Sequence, residues 1–265
     1  MLTLIDILLP IYGSVSANFF EFILSLSALR TEGIRFRIRY NVGDSLVTRS
    51  RNTLISKYYV EAKEDSNLKY MLFLDSDVHM NPTKLLNMVE KAIKYELDIV
   101  GGIVPIKGFQ DPYFQEPKTF LHSHNNDCTV FEKDDSLIRA DVLTTGCILL
   151  STKAVNELIR DAKKNKAWYH DTDFSDNERR YDVFQTGVRE NVFRGKKVRL
   201  FLSEDWWMCY KLKDLGFTVW ADRSLQITHR GFYDYKHLSV EQHSIFDQCR
   251  NYMNFLTEGK GKDTT

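Results

Sequence analysis

The stretch Leu72-Phe73-Leu74-Asp75-Ser76-Asp77 ends an apolar run with two carboxylates that are separated by one residue. The run over residues 69–74 predicts a buried strand that delivers both acids to one edge of a sheet. Paired carboxylates suit a hard divalent cation, which can hold a diphosphate and neutralise the charge that develops on a leaving group. The alternative is a solvated turn in which Asp75 caps the chain that follows. The pattern is common by chance, and its place at the end of a buried strand favours the metal site.

Strand and helix patterns alternate around this stretch. We predict strands over residues 2–10, 34–40 and 98–104, helices over residues 16–30 and 45–62, and a further helix that begins at Asn81-Pro82. This alternation is typical of βαβ units and predicts an α/β fold, with a mainly parallel central sheet flanked by helices. Ligands in such sheets bind beyond the carboxyl ends of the strands, which here are the positions after Pro10, Leu74 and Val104.

The second half of the sequence is less regular. Residues 105–117 are predicted to form a long loop, and residues 168–180 an acidic irregular segment. We predict strands over residues 142–150, 217–221 and 225–228, and helices over residues 153–164, 203–215 and 239–256. The acids from Asp171 onward resemble the opening of a calcium loop, but Asp176 stands at the sixth place and Asp182 at the twelfth. A calcium loop needs glycine and glutamate there, so a mobile acidic loop is favoured.

A second candidate group is Ser203-Glu204-Asp205, at the start of a predicted helix. Ser203 is a good N-cap, and the positive helix end favours ionised carboxylates in the first turn. An ionised carboxylate that faces a substrate is a candidate general base. The alternative is that both acids only complement the helix dipole. Trp206 and Trp207 follow directly, and either belong to the core or stack on an acceptor.

A third candidate is His229, which ends a short predicted strand. It could complete the coordination of a metal held by Asp77, and nitrogen with carboxylate ligation leans toward manganese over magnesium. A purely structural histidine is the alternative. Arg49 and Arg51 lie two residues apart on a predicted helix and point to different sides, so at most one easily faces the pocket. The forked donors of arginine suit a pyrophosphate.

The composition limits the classes of protein that remain. The chain has 36 basic and 36 acidic side chains, which gives no global attraction to nucleic acid or to an anionic membrane, although a local basic pocket stays open. The cysteines lack metal-site spacing, and without a predicted secretory signal they indicate a reducing compartment. No apolar stretch approaches the roughly 18–20 residues that span a bilayer. We therefore expect a cytoplasmic protein. The cysteines are Cys128, Cys147, Cys209 and Cys249.

Taken together, these motifs resemble the GT-A glycosyltransferases, particularly the broad family-2-like group and its small viral and bacterial members. The resemblance implies the GT-A fold and transfer of a sugar from a nucleoside diphosphate sugar to a hydroxyl acceptor on a glycan or glycoconjugate. It is not specific for one sugar. If the chain is viral, the expected compartment is the host cytoplasm. The segments that carry the resemblance are Leu8-Leu9-Pro10-Ile11-Tyr12, Ser50-Arg51-Asn52, Leu74-Asp75-Ser76-Asp77, Gly101-Gly102-Ile103-Val104-Pro105-Ile106-Lys107, Thr145-Gly146, Ser203-Glu204-Asp205 with Gly216, and His229.

The resemblance also implies roles for individual residues. Asp77 and His229 bind Mn²⁺ or Mg²⁺, with Asp75 near the metal or the ribose, and Arg51 is favoured over Arg49 as the pocket arginine. Asp205 acts as the base of an inverting reaction, and Glu204 supports it. The donor-binding residues are Pro10, Ile11, Tyr12, Arg51, Asp75, Ser76, Thr145 and Gly146, and the acceptor-binding residues are Trp206, Trp207 and Lys107. The two tryptophans directly after the acids and the long segment 168–198 depart from the family pattern.

We therefore expect one GT-A domain over residues 1–265, with a nucleotide-sugar-binding half at 1–104, an acceptor and catalytic half at 105–238, and a helix and tail at 239–265. The final helix either mediates a homodimer or covers the core. One alternative is a sugar-phosphate nucleotidyltransferase, which usually needs a glycine-rich basic loop after the first strand. Here Tyr12-Gly13-Ser14-Val15-Ser16 has one glycine and no lysine or arginine. Another alternative is a non-catalytic carbohydrate-binding protein. We expect no nucleic-acid partner.

Overall fold

A computed structural model of the chain describes residues 2–29, 31–111, 116–119, 129–171, 178–193, 196–231 and 234–236. Most of the secondary-structure elements within these ranges are strands, and five are helices. The helices are α1 (Ala17–Ala28), α2 (Val47–Glu64), α3 (Pro82–Lys94), α4 (Thr152–Lys164) and α5 (Glu204–Asp214). The strands are β1 (Thr3–Ile11), β2 (Ile34–Val42), β3 (Leu68–Leu74), β4 (Val78–Met80), β5 (Ile99–Gly102), β6 (Pro105–Asp111), β7 (Glu116–Thr119), β8 (Val130–Phe131), β9 (Asp134–Ala140), β10 (Cys147–Ser151), β11 (Trp168–His170), β12 (Arg179–Tyr181), β13 (Gly187–Phe193), β14 (Lys196–Leu202), β15 (Val219–Asp222), β16 (Ile227–Arg230) and β17 (Asp234–Lys236).

The central sheet of the described residues has eight strands in the order β2-β1-β3-β10-β5-β15-β9-β8. β1 is parallel to β2 and β3, and β15 is parallel to β5. β10 runs antiparallel between β3 and β5, and β9 runs antiparallel to β15 and β8. The remaining strands therefore share one direction, and strands from both halves of the sequence enter this one sheet.

The apolar core lies on both faces of the sheet because side chains alternate along each strand. Met71 and Phe73 of β3 belong to one buried cluster, which α2, α4 and α5 cover. Leu72 and Leu74 belong to the other cluster, which α1 and α3 cover. All four β3 side chains are fully buried. This arrangement confirms the predicted α/β fold, with a mainly parallel central sheet flanked by helices.

The elements of the first half follow the sequence pattern to within a few residues. Ser16 caps α1, where its side chain accepts a hydrogen bond from Phe19 N, and Asn81 caps α3 in the same way with Pro82 at the first helical position. In β5 the glycine at position 101 has a packing reason. A Cβ there would lie 2.5 Å from the carbonyl oxygen of Cys147 on the neighbouring strand. No side chain fits such a close approach.

Several expectations for the second half were wrong. Residues 105–117 are not a continuous loop, since β6 and β7 pair in antiparallel fashion, and a proline is tolerated as the first residue of a strand. The strand predicted from residue 142 begins only at Cys147. Residues 168–180 are not wholly irregular, because β11 and β12 pair with each other. The β13–β14 hairpin was not predicted at all.

Some expectations fall outside the described residues. These are the final helix at 239–256, the acidic stretch 172–177, and the cysteines Cys128 and Cys249. Cys147 and Cys209 are buried free thiols. Among the helices described here, none combines the length and the apolar character needed to span a bilayer.

Candidate functional site

The chain segment after β3 places the two acids of the Asp75-Ser76-Asp77 motif at the carboxyl edge of the sheet. The amide of Asp75 donates a hydrogen bond of 3.2 Å to Gly146 O, directly before the neighbouring β10. The amide of Val78 donates in turn to Asp75 O at 3.0 Å. The motif is therefore a fixed turn, with Asp75 and Asp77 facing different partners.

Arg51 joins Asp75 to the start of α5. Its guanidinium donates to Asp75 Oδ1 at 2.8 Å and to Glu204 Oε1 at 2.6 Å, although the residue is only 3% exposed. Burial opposes the charge on Arg51, but the negative charges of Asp75 and Glu204 outweigh it and raise the pKa of the guanidinium. Three segments distant in sequence are thus held together by one cation, which stays charged at any physiological pH.

Arg49 lies on another side of α2, as expected for a residue two positions from Arg51. It forms an ion pair with Asp44, with 2.7 Å between Arg49 Nη2 and Asp44 Oδ1, and its side chain is 42% exposed. Of the two arginines, the one that contacts the acidic motif is Arg51.

Pairing of β4 with β16 brings His229 to Asp77. His229 is opposite Val78 in this antiparallel pair, and Arg230 N donates to Asp77 O at 2.8 Å. His229 Nε2 lies 3.5 Å from Asp77 Oδ2. Its other ring nitrogen, Nδ1, is 2.7 Å from the carbonyl oxygen of Pro105. Because a carbonyl only accepts, Nδ1 carries a proton and donates it to Pro105, and Nε2 is the ring nitrogen that faces Asp77.

Lys107 also contacts Asp77, at the same carboxylate oxygen that faces His229. Burial of Asp77 favours its neutral form, but the hydrogen bonds from His229 and Lys107 prevail and lower its pKa to about 2. Lys107 was expected on the acceptor side, and the structure places its ammonium against the acidic motif. Both partner side chains of this ion pair remain partly open to solvent, at 41% for Lys107 and 39% for Asp77.

The donor set around Asp77 fits two ligands of a divalent cation. Carboxylate oxygen and imidazole nitrogen suit manganese, and a ligating histidine commonly donates its other N–H to a backbone carbonyl, as His229 does. Their separation of 3.5 Å is compatible with a cation about 2 Å from each atom. Asp75 turns to Arg51 instead, and within the described part of the chain no three His, Cys, Asp or Glu side chains cluster closely enough to hold a metal.

Asp205 lies in the first turn of α5, beside Glu204. Its Oδ1 accepts a hydrogen bond from the Ser203 hydroxyl and another from Trp206 N at 2.8 Å. Ser203 occupies the predicted N-cap position, but its side chain bonds to Asp205 and makes no capping hydrogen bond to the helix backbone. Burial raises the pKa of Asp205, the Ser203 hydrogen bond opposes the shift, and the charge of Glu204 reinforces it.

The other predicted site residues differ in how far they are buried. Thr145 is buried at 1% exposure, and a Cβ on Gly146 would lie 3.4 Å from Asp75 Oδ2. Pro10 and Ile11 are half-buried at the end of β1, whereas Tyr12 is 73% exposed. Ser76 is half-buried within the turn, between the two acids. Trp206 and Trp207 are partly buried and pack against the larger core cluster.

Asn52 has a positioning role that the sequence did not reveal. It is 2% exposed, and its Oδ1 accepts hydrogen bonds of 2.9 Å from Val183 N and Phe184 N. Its Nδ2 donates to Asp182 Oδ1 at 2.8 Å. The segment after β12 is thereby anchored to α2 next to Arg51. The only signal in the sequence is the position of Asn52 directly after Arg51, since the partners lie some 130 residues away.

Comparisons with known proteins give structural likenesses but no sequence match. No protein-family profile matches the chain, and no curated protein sequence matches it. The crystal structure of A197 from STIV is similar over 87% of this chain and 86% of that one, at 16% identity and a TM-score of 0.49. A crystal structure of GalNAc-T7 with UDP, GalNAc and Mn²⁺ is similar over 86% of this chain and 44% of that one, at 10% identity and a TM-score of 0.42. At these TM-scores the likenesses carry no inference about activity.

Proposed function

We propose that the chain is a metal-dependent GT-A glycosyltransferase, which transfers a sugar from a nucleoside diphosphate sugar to a hydroxyl group. The observation that carries the proposal is the meeting of Asp77 with His229 beside the Arg51 ion pairs, at the carboxyl edge of the sheet. Ligands of α/β sheets bind at this edge. A cation-binding pair at this edge suits the diphosphate of a donor, while the guanidinium of Arg51 is bound to Asp75 and Glu204.

On the donor side, Asp77 and His229 are the residues that would hold Mn²⁺ or Mg²⁺, with Asp75 close by. When bound, such an ion neutralises charge on the diphosphate leaving group. Arg51 fixes the position of Asp75 through their 2.8 Å contact. The remaining donor contacts in the proposal come from the end of β1, from the turn and from the residues directly before β10, and are Pro10, Ile11, Tyr12, Ser76, Thr145 and Gly146.

On the acceptor side, Asp205 is the proposed general base. Glu204 is bound to Arg51, whereas Asp205 is oriented by Ser203 and Trp206 N. Asp205 takes the proton of the acceptor hydroxyl while that oxygen bonds to the anomeric carbon and the bond to the diphosphate breaks. Attack from the face opposite the leaving group inverts the anomeric centre. Trp206 and Trp207 complete the acceptor side of the proposal, whereas Lys107 lies against Asp77 on the donor side.

Replacement of the base tests this assignment. The variant Asp205→Asn keeps the shape of the side chain but cannot take a proton, so transfer should fall about 10²–10⁴-fold while donor binding persists. Wild-type activity should decline as the pH falls through the pKa of Asp205, which burial raises, because only the ionised form is a base. Near-normal turnover of Asp205→Asn would remove this residue from the base role.

Calorimetry with UDP and with GDP, each with and without Mn²⁺, tests the class of protein. A glycosyltransferase of this type should bind at least one nucleotide more tightly when Mn²⁺ is present. A carbohydrate-binding protein has no reason to show metal-dependent nucleotide affinity. Screening nucleotide-sugars for hydrolysis then identifies the donor. Release of pyrophosphate from a nucleoside triphosphate and a sugar phosphate would instead favour the nucleotidyltransferase.

A further inference from the structure

The β13–β14 hairpin presents an exposed face that the proposed reaction does not use. Exposure alternates over residues 187–190 and 197–202, where the outward positions are Val188, Glu190, Lys197, Arg199 and Phe201. Val188 is 53% exposed and Phe201 is 72% exposed. The two residues are direct cross-strand partners, so their side chains adjoin and form one apolar patch. Glu190 and Arg199 form the next pair on this face.

The hairpin is strongly basic in a chain that is neutral overall. Residues 187–202 contain five basic side chains and one acidic side chain, Glu190. One of the basic residues, Arg189, is on the inward side and pairs with Asp214 at 2.5 Å. Lys197 and Arg199 are exposed beside the apolar pair. The outward face therefore combines an aromatic and an aliphatic side chain with two positive charges and the one negative charge of Glu190, which leaves it net positive. The basic residues are Arg189, Arg194, Lys196, Lys197 and Arg199.

The hairpin is fixed to the helix that carries the proposed base. Besides pairing with Asp214, the Arg189 guanidinium lies 5.4 Å from the ring centre of Tyr210 on α5. Leu200 packs against the core, and Leu202 is fully buried. Phe201 precedes Asp205 by four residues, so at most about 14 Å separates their Cα atoms. The outward face thus has a set position close to the site.

We infer that this face docks the protein on an anionic phospholipid surface, with Phe201 and Val188 entering the interface and Lys197 and Arg199 at the headgroups. Binding of a protein to such a surface grows with the apolar area that it buries and with its attraction to anionic lipid. Two apolar side chains offer far less area than the roughly 800 Å² that each partner buries in a stable protein complex. An uncharged glycan has no negative group to pair with Lys197 and Arg199. If the proposed function holds, on which this step rests, the acceptor hydroxyl belongs to a membrane-bound molecule.

Sedimentation of the full chain with vesicles tests the inference without any nucleotide. The chain should bind vesicles of phosphatidylcholine that contain phosphatidylserine, should bind pure phosphatidylcholine weakly, and should be released by salt. Phe201→Ser should weaken the binding about tenfold, because it removes the largest apolar side chain from the interface. The double variant Lys197→Glu with Arg199→Glu should abolish the preference for phosphatidylserine.

A matched control is available on α1. Phe20 is 56% exposed there, and that helix contains no lysine or arginine, so Phe20→Ser should bind the vesicles like the wild type. Equal loss in Phe20→Ser and Phe201→Ser, or equal binding to both kinds of vesicle, would overturn the inference. So would binding to heparin, a soluble acidic polysaccharide, without binding to vesicles, which would assign the face to an acidic glycan. Metal-dependent nucleotide binding, measured on the same variants, reports separately on the proposed function.

Discussion

The two acids of the Asp75-Ser76-Asp77 motif are only two residues apart, yet their surroundings differ. Asp75 is held by Arg51, a cation that is almost completely buried and also binds Glu204. Asp77 faces His229 and Lys107, and its side chain is 39% exposed. The first arrangement is a permanent cross-link between α2, the turn after β3 and α5. The second leaves Asp77 partly open to solvent, as the proposed cation site requires.

Removal of Arg51 should produce the largest effect on folding. The variant Arg51→Met leaves Asp75 and Glu204 without their shared counter-charge, so the free energy of unfolding should fall by about 2–4 kcal/mol. Urea unfolding followed by circular dichroism measures this loss. Arg49→Met is the matched control, because its pair with Asp44 is partly exposed and should contribute less than about 1 kcal/mol. Equal stability of the two variants would show that Arg51 is not a structural cross-link.

The two acids should then separate in their effects on stability and on nucleotide binding. Asp77→Asn should lower the free energy of unfolding by at most about 1 kcal/mol, because the ion pair that it loses is partly exposed. It should weaken Mn²⁺-dependent nucleotide binding roughly 100-fold, since it alters a proposed ligand. Asp75→Asn should lower stability by about 1–2 kcal/mol, because it weakens the partner of a buried charge. Calorimetry and urea unfolding on both variants measure the two quantities. If the variants behaved alike in both assays, the distinction between a fixed and an exchangeable acid would be wrong.

The fold of the first half could be predicted because its signals are local. Ser16 and Asn81 act as N-caps, and the apolar run of β3 alternates between the two core clusters. The antiparallel position of β10 between β3 and β5 could not be predicted, since strand order depends on contacts far apart in sequence. The β13–β14 hairpin was missed although residues 197–202 alternate between exposed and buried positions. The exposed positions include the apolar Phe201, so the sequence does not alternate regularly between polar and apolar residues over this strand.

The candidate site shows the same division. The residue types and the strand-end position of Asp75 and Asp77 were readable from the sequence, as was the limit that at most one of the two arginines easily faces the site. The choice of Arg51 came from the family resemblance. The partner of each acid was not readable. Arg51 and Glu204 are 153 residues apart, and Lys107 meets Asp77 only because β6 passes beside β16. Ion pairs across a fold depend on strand order, which the local pattern does not contain.

The smallest expected effect comes from Lys107, and it has an unusual sign. Its ammonium occupies the same Asp77 oxygen that faces His229, so a divalent cation must displace it. Because a partly exposed ion pair contributes at most about 1 kcal/mol, Lys107→Met should bind Mn²⁺ roughly threefold more tightly in the absence of nucleotide. Titration of Mn²⁺ followed by electron paramagnetic resonance measures this affinity. Lys153→Met removes the similar but remote pair with Asp98 and should change nothing. Weaker Mn²⁺ binding in Lys107→Met would mean that the lysine supports the cation site, and that the openness of Asp77 is not an exchange of one cation for another.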